Sequence, residues 1–114
     1  MNNTQLLKGI LEGCVLLVIS EEEVYGYELV QKLKGIGFSE IIGGTVYPLL
    51  QKLEKKGYLK SKMKPSTEGP NRKYYFLTPE GNIASKEFVK EWQLLEKIVN
   101  QIIMKTGGDN HEQY

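Results

Sequence analysis

The apolar pattern changes period at Gly57, and that change constrains the fold more than any other feature of the chain. Before it, Val46, Leu49, Leu50 and Leu53 recur at i, i+3, i+4 and i+7, which predicts a helix over 44–56. After it, Leu59, Ser61 and Met63 alternate with Lys60, Lys62 and Lys64, the period of a strand. Of the chain's 15 basic and 14 acidic side chains, residues 43–78 hold eight basic (Lys52, Lys55, Lys56, Lys60, Lys62, Lys64, Arg72, Lys73) and two acidic (Glu54, Glu68). A chain of net charge +1 is therefore a basic segment set in an acidic frame, the asymmetry of a protein with a polyanionic partner.

The helix over 44–56 turns its apolar stripe inward and leaves Thr45, Tyr47, Pro48, Gln51, Lys52 and Lys55 outside. Pro48 falls in its first turn on this boundary, where a missing N–H costs little, and Gly57 supplies the stop. Residues 65–71, with Pro, Ser, Gly and Asn, read as a loop, and 72–77 as an aromatic return strand. Thr78-Pro79-Glu80 is an N-cap, a proline at the first helical position and an acid in the first turn.

Upstream, Leu7, Ile10, Leu11, Cys14, Val15 and Val18 form one face of a helix starting near Leu6, and Leu16, Leu17 and Ile19 make it apolar nearly all round. Gly13 inside it is unfavourable by about 1 kcal/mol relative to Ala, which suggests close approach or room for a ligand. Glu21, Glu22 and Glu23 read as a solvated turn and cap before a second helix over 25–34, which Gly35 and Gly37 end. Residues 38–42 read as a short edge strand. Downstream, 79–105 reads as a long helix with Phe88, Trp92, Leu95, Val99 and Ile102 spaced four, three, four and three. So long an apolar helix has surplus surface, which predicts a homodimer with Leu7 and Leu11 contributing to the interface. The polar tail 106–114 reads as disordered.

Composition excludes several classes. The longest apolar run, 14–19, is six residues against the roughly 20 needed to cross a bilayer, so the expectation is a cytoplasmic protein without a membrane partner. Cys14 is the only cysteine and reads as a small buried residue; His111 is the only histidine and lies in the tail. Neither a metal site nor a cofactor site is expected, and with no nucleophile–base pair or carboxylate pair in an apolar setting, an enzyme is not expected either. The competing class is a winged-helix module that binds a protein or small molecule without reading DNA sequence. A protein partner would not require eight positive residues on one segment.

Helix, helix, short strand, helix, basic hairpin, helix is the order of a winged helix-turn-helix, mainly α with a small β-hairpin, followed by a long C-terminal dimerisation helix. The expected units are 1–78 for DNA binding, with recognition helix 44–56 and wing 58–78, and 79–105 for dimerisation. Thr45, Tyr47 and Gln51 are the candidates for bases and flanking backbone, with Lys52, Lys55, Lys62, Lys64, Arg72, Lys73 and Tyr27 for phosphates. Three stretches, Tyr25-Gly-Tyr-Glu-Leu29, Gly44-Thr-Val-Tyr-Pro-Leu-Leu-Gln-Lys-Leu-Glu-Lys-Lys-Gly-Tyr-Leu59 and Gly69-Pro-Asn-Arg-Lys-Tyr-Tyr-Phe-Leu-Thr-Pro-Glu-Gly81, in this register resemble the PadR family of bacterial transcriptional regulators. Gly69-Pro70-Asn71 departs from the two glycines and Arg or Pro found in many relatives. The resemblance implies a homodimeric repressor on double-stranded DNA at a palindromic operator, released by a ligand or stress. From the multidrug-responsive members it implies a site for a planar aromatic or cationic molecule at Trp92, with Glu96 balancing charge and Gly13 leaving space.

Overall fold

The computed structural model describes residues 4–107. Its elements are α1 Thr4–Glu21, β1 Val24–Tyr25, α2 Gly26–Ile36, α3 Gly43–Lys55, β2 Leu59–Ser66, β3 Gly69–Leu77 and α4 Pro79–Lys105. All four expected helices are present, and α4 has the bounds read from the sequence. Leu29 and Leu33 from α2, Val46, Leu50 and Leu53 from α3, Leu59 from β2 and Val15 from α1 fill one core at near-zero exposure. Cys14 is half-buried on α1, and burial pushes its thiol pKa up, which suits a packing residue rather than a reactive one.

Helices α2 and α3 end by the same device. The Gly37 and Phe38 N–H groups donate to the Lys34 and Leu33 carbonyls, and those of Gly57 and Tyr58 to Glu54 and Leu53. This closure needs a positive φ, which Gly37 (145°) and Gly57 (83°) provide. At Gly57 the chain leaves the helix and enters β2 at once, which is why the hydrophobic period switches there.

Three expectations change. Residues 38–42 form a turn between α2 and α3 rather than a strand, with Ile41 buried in the core and its N–H bonded to the Phe38 carbonyl. The third strand is instead Val24–Tyr25, which pairs with Tyr75 and Tyr74 to give an antiparallel sheet in the order β1-β3-β2. Two residues carry no period, so only the free edge of β3 determines that pairing. The wing turn is tighter than the expected 65–71 loop, because β2 runs through Pro65 to Ser66 and β3 resumes at Gly69. Finally, α3 begins at Gly43 with Ile42 as its N-cap, so Pro48 lies in the second turn and withholds a hydrogen bond from the Gly44 carbonyl. Gly44 is exposed, and water can satisfy that carbonyl. The 106–114 tail lies outside the described residues beyond Gly107.

Thr78 joins the wing to α4. Its hydroxyl accepts from the Gly81 N–H at 3.0 Å and donates to the Gly57 carbonyl at 2.6 Å, while its own N–H reaches the Tyr58 carbonyl at 3.1 Å. A Cβ at Gly81 would run into that same Tyr58 carbonyl, so only glycine fits the close approach. Thr78→Ala is expected to cost about 1–2 kcal/mol in urea unfolding, because it removes the cap and orphans a carbonyl; Thr78→Ser should keep most of it.

Candidate nucleic-acid interface

Helix α3 buries Val46, Leu50 and Leu53, and leaves Thr45, Tyr47, Gln51, Lys52 and Lys55 exposed as its stripe requires. Tyr47 is held more closely than the stripe alone would predict. A Cβ on Gly26 would stand 2.5 Å from its Cε1, and one on Gly43 would stand 2.8 Å from Cε2, so the ring is wedged edgewise between the first residues of α2 and α3. Neither helix has a side-chain cap, so two N-termini with free N–H groups and partial positive charge converge on one ring. Tyr27, the second residue of α2, is exposed beside them.

The hairpin register sorts the wing cations between two faces. Lys60, Lys62 and Lys64 lie opposite Phe76, Tyr74 and Arg72, while Leu59, Ser61 and Met63 lie opposite Leu77, Tyr75 and Lys73. Lys62, Lys64 and Arg72 therefore share the outer face, and Lys73 is on the inner face, toward α3. Glu54 of α3 meets that inner face: it accepts from Ser61 Oγ at 2.7 Å and pairs with Lys73 at 3.4 Å. The wing is thereby tied to α3 by one carboxylate.

Most of these cations already have carboxylate partners. Glu12 of α1 pairs with Lys56 at 2.8 Å and Lys52 at 3.5 Å, and Glu23 pairs with Lys62 at 3.3 Å and with Lys64. Among the described residues, Lys55, Lys60 and Arg72 have none; Arg72 lies 4.5 Å from the Tyr25 ring centroid instead. Glu21–Glu23 is thus not merely a solvated cap: Glu23 meets the wing and Glu22 pairs with Lys32. Sequence reasoning missed Glu12, Glu23 and Glu54 as parts of the basic surface. The alternation put Lys62 and Lys64 on one face, but nothing local in sequence points to a partner about 40 residues away.

The residues assigned to a ligand or a second subunit divide. At Gly13 the Phe88 ring occupies the place where a Cβ would stand, so the glycine serves the close packing of α4 on α1. Phe88 therefore packs on α1 of its own chain, and Leu7 and Leu11, both on α1, face inward, Leu7 half-buried against the core and Leu11 at 4% exposure. Trp92, Glu96, Leu95, Val99 and Ile102 are exposed along α4, with Trp92 and Glu96 one turn apart.

The fold and this surface define a winged helix-turn-helix with a basic third helix and wing. Residues 15–87, more than half the chain, match the model of the transcriptional regulator PadR-like family. The solved structure of a Streptococcus transcriptional regulator is 52% identical, with a TM-score of 0.80 over 86% of this chain and 96% of that one. A PadR-like transcriptional regulator from Bacillus cereus is 44% identical, again with a TM-score of 0.80, over 87% and 96%. A transcriptional regulator of Mycobacterium tuberculosis is 33% identical over 92 residues, 81% of this chain and 78% of its own. The chain belongs to the PadR family of transcriptional regulators, which bind DNA and are not enzymes. No helix among the described residues is long and apolar enough to cross a membrane.

Burial opposes the charge of Glu12, but the hydrogen bond and charge of Lys56, with Lys52 behind it, prevail and hold its carboxyl below the ordinary 4.5. A carboxyl depressed in the folded state adds stability above its unfolded pKa and loses it as pH falls through the folded value. Wild type is therefore expected to exceed Glu12→Gln by about a few tenths of a kcal/mol at neutral pH, given the exposure of the pair. In thermal melts that margin should shrink as pH falls below 4.5 and vanish once it passes beneath the lowered folded value.

Proposed function

We propose that this PadR-family regulator is a homodimeric repressor that binds a palindromic operator, reading the major groove with α3 and gripping flanking phosphates with the wing. The observation that carries the reading is the division of α3: its apolar stripe is buried while Thr45, Tyr47, Gln51, Lys52 and Lys55 are exposed along one helix. Gln51 and Thr45 can hydrogen-bond base edges, whereas Lys52, Lys55, Arg72 and Lys73 can neutralise phosphates. The tie from Glu54 to Lys73 and Ser61 supports joint action of helix and wing. In this reading 1–78 forms the DNA-binding unit and 79–105 the dimerisation helix.

Two observations support the dimer. Every residue from Lys90 to Thr106 is exposed, and eight large apolar side chains between Trp92 and Met104 keep 40–69% of their surface in water. A compact chain of this length has a radius of gyration of about 13 Å; the observed value is 17.1 Å, because α4 projects beyond the core. An apolar stripe of that extent is not left bare by a monomer, and its four-and-three spacing suits a second copy of the same helix. A two-fold pair carries two α3 helices about one DNA turn apart, which calls for a palindrome. The same seam offers Trp92 for stacking and Glu96 for charge, so release by a planar aromatic or cationic molecule is part of the proposal, with Gly13 no longer in it. A module that does not read sequence would leave the polar face of α3 without a purpose.

The purified protein should elute as a dimer and retard DNA from its own promoter region in excess non-specific competitor, less so as salt rises. Each of Lys52→Ala, Arg72→Ala and Lys73→Ala should reduce the slope of log affinity against log salt by about 0.9 per lost phosphate contact, about 1.8 for the two protomers of a bound dimer. No protected site in footprinting, with unchanged slopes, would sink the repressor reading. Planar cationic dyes should quench the single tryptophan, and dye binding, followed by the dye's own fluorescence, should be lost in Trp92→Ala; dye binding that persists in a folded mutant dimer would place the ligand elsewhere.

A further inference from the structure

The outer face of the wing is a small, self-contained electrostatic assembly. Lys62 Nζ lies 5.4 Å from the Phe76 ring centroid, Lys64 Nζ 4.7 Å from Tyr74, and the Arg72 guanidinium carbon 4.5 Å from Tyr25. Tyr25 and Tyr74 meet edge to face at 5.3 Å, so the aromatic floor is continuous from β1 to β3. Glu23, one residue before β1, closes the assembly: Oε2 is 3.3 Å from Lys62, and Oε1 pairs with Lys64. Among the described residues no other carboxylate pairs with either lysine. Two ammonium groups on one doubly oxygenated anion is the arrangement these lysines would make with a DNA phosphate.

We propose that Glu23 is a built-in counter-anion of the wing, standing where a backbone phosphate stands in the complex, and that it sets the strength of DNA binding. Lys62 and Lys64 pass from Glu23 to a phosphate when the wing engages. The inference rests on the DNA-binding function proposed above. Such half-exposed pairs stabilise the fold little, so the exchange is easy, but the Glu23 charge stays beside the phosphates and weakens the complex. The wing therefore grips less tightly than its count of lysines implies. That moderates binding to arbitrary DNA, where phosphate contacts supply essentially all the affinity.

The test uses a mixed-sequence DNA duplex titrated over a range of salt, a probe that reads phosphate contacts and needs no knowledge of the operator. Glu23→Gln should bind roughly fivefold more tightly than wild type at low salt, the gain shrinking as salt screens the charge. In a Lys62→Gln/Lys64→Gln background the same change should give less than about half that gain, because the group it competes for is missing. Glu91→Gln removes an equal charge from α4 and should stay within about twofold of wild type. A folded Glu23→Gln protein that binds no more tightly than wild type overturns the proposal, as does a gain undiminished without the two lysines or matched by Glu91→Gln. Glu23→Asn serves as the second variant if the glutamine form does not fold. Failure of the wild type itself to bind the duplex at low salt overturns the DNA-binding function instead.

Discussion

The geometry of α3 and the wing depends on a knot of hydrogen bonds between 57–58 and Thr78, one from the Thr78 hydroxyl and the others along the backbone. Gly57 ends α3 with a positive φ, Tyr58 closes onto Leu53, and Thr78 returns from β3 to bond both the Gly57 and the Tyr58 carbonyl groups. Three elements, α3, the wing and α4, thus share one crossing point with no slack residues. Gly81 lets α4 approach that crossing more closely than any side chain would allow. The start of α4, the base of the wing and the end of α3 are therefore held together by direct contacts rather than by a loop.

Charge compensation is the second organising constraint. Five of the eight cations in 43–78 have a carboxylate within ion-pair distance: Lys52 and Lys56 on Glu12, Lys62 and Lys64 on Glu23, Lys73 on Glu54. These carboxylates come from α1, from the segment before β1 and from α3 itself. A basic surface assembled from separate elements would repel itself, and acidic groups at its margins relieve that repulsion. The acidic frame inferred from composition is in part a set of specific partners.

Much was legible in the sequence because it rests on periodicity. Val46, Leu50 and Leu53 required a buried helix face, the lysine alternation required a strand, and Thr78-Pro79 required a helix start; each is local chemistry repeated several times over. What failed had no period to read. Val24–Tyr25 is a strand only because β3 has a free edge, and 38–42 is a turn because Ile41 is drawn into the core. Pro48 was read in the first turn, but as the sixth residue of α3 it lies in the second, where its missing N–H leaves the Gly44 carbonyl without an intrahelical partner. Gly13 was open to two explanations, and the Phe88 ring from a helix 75 residues later decided for close packing.

The sequence by itself determined the fold class, the polarity of α3 and the apolar excess of α4, since these follow from spacing along one chain. Only the tertiary structure decided which side chains meet. It wedged Tyr47 between Gly26 and Gly43, split Lys73 from Lys62, Lys64 and Arg72 across the two faces of the wing, and brought Glu12 and Glu23 to lysines some 40 residues away. The physical reason is range: backbone preference and amphipathic period act over a few residues, whereas steric fit and charge pairing act between neighbours in space, whatever their separation in the chain.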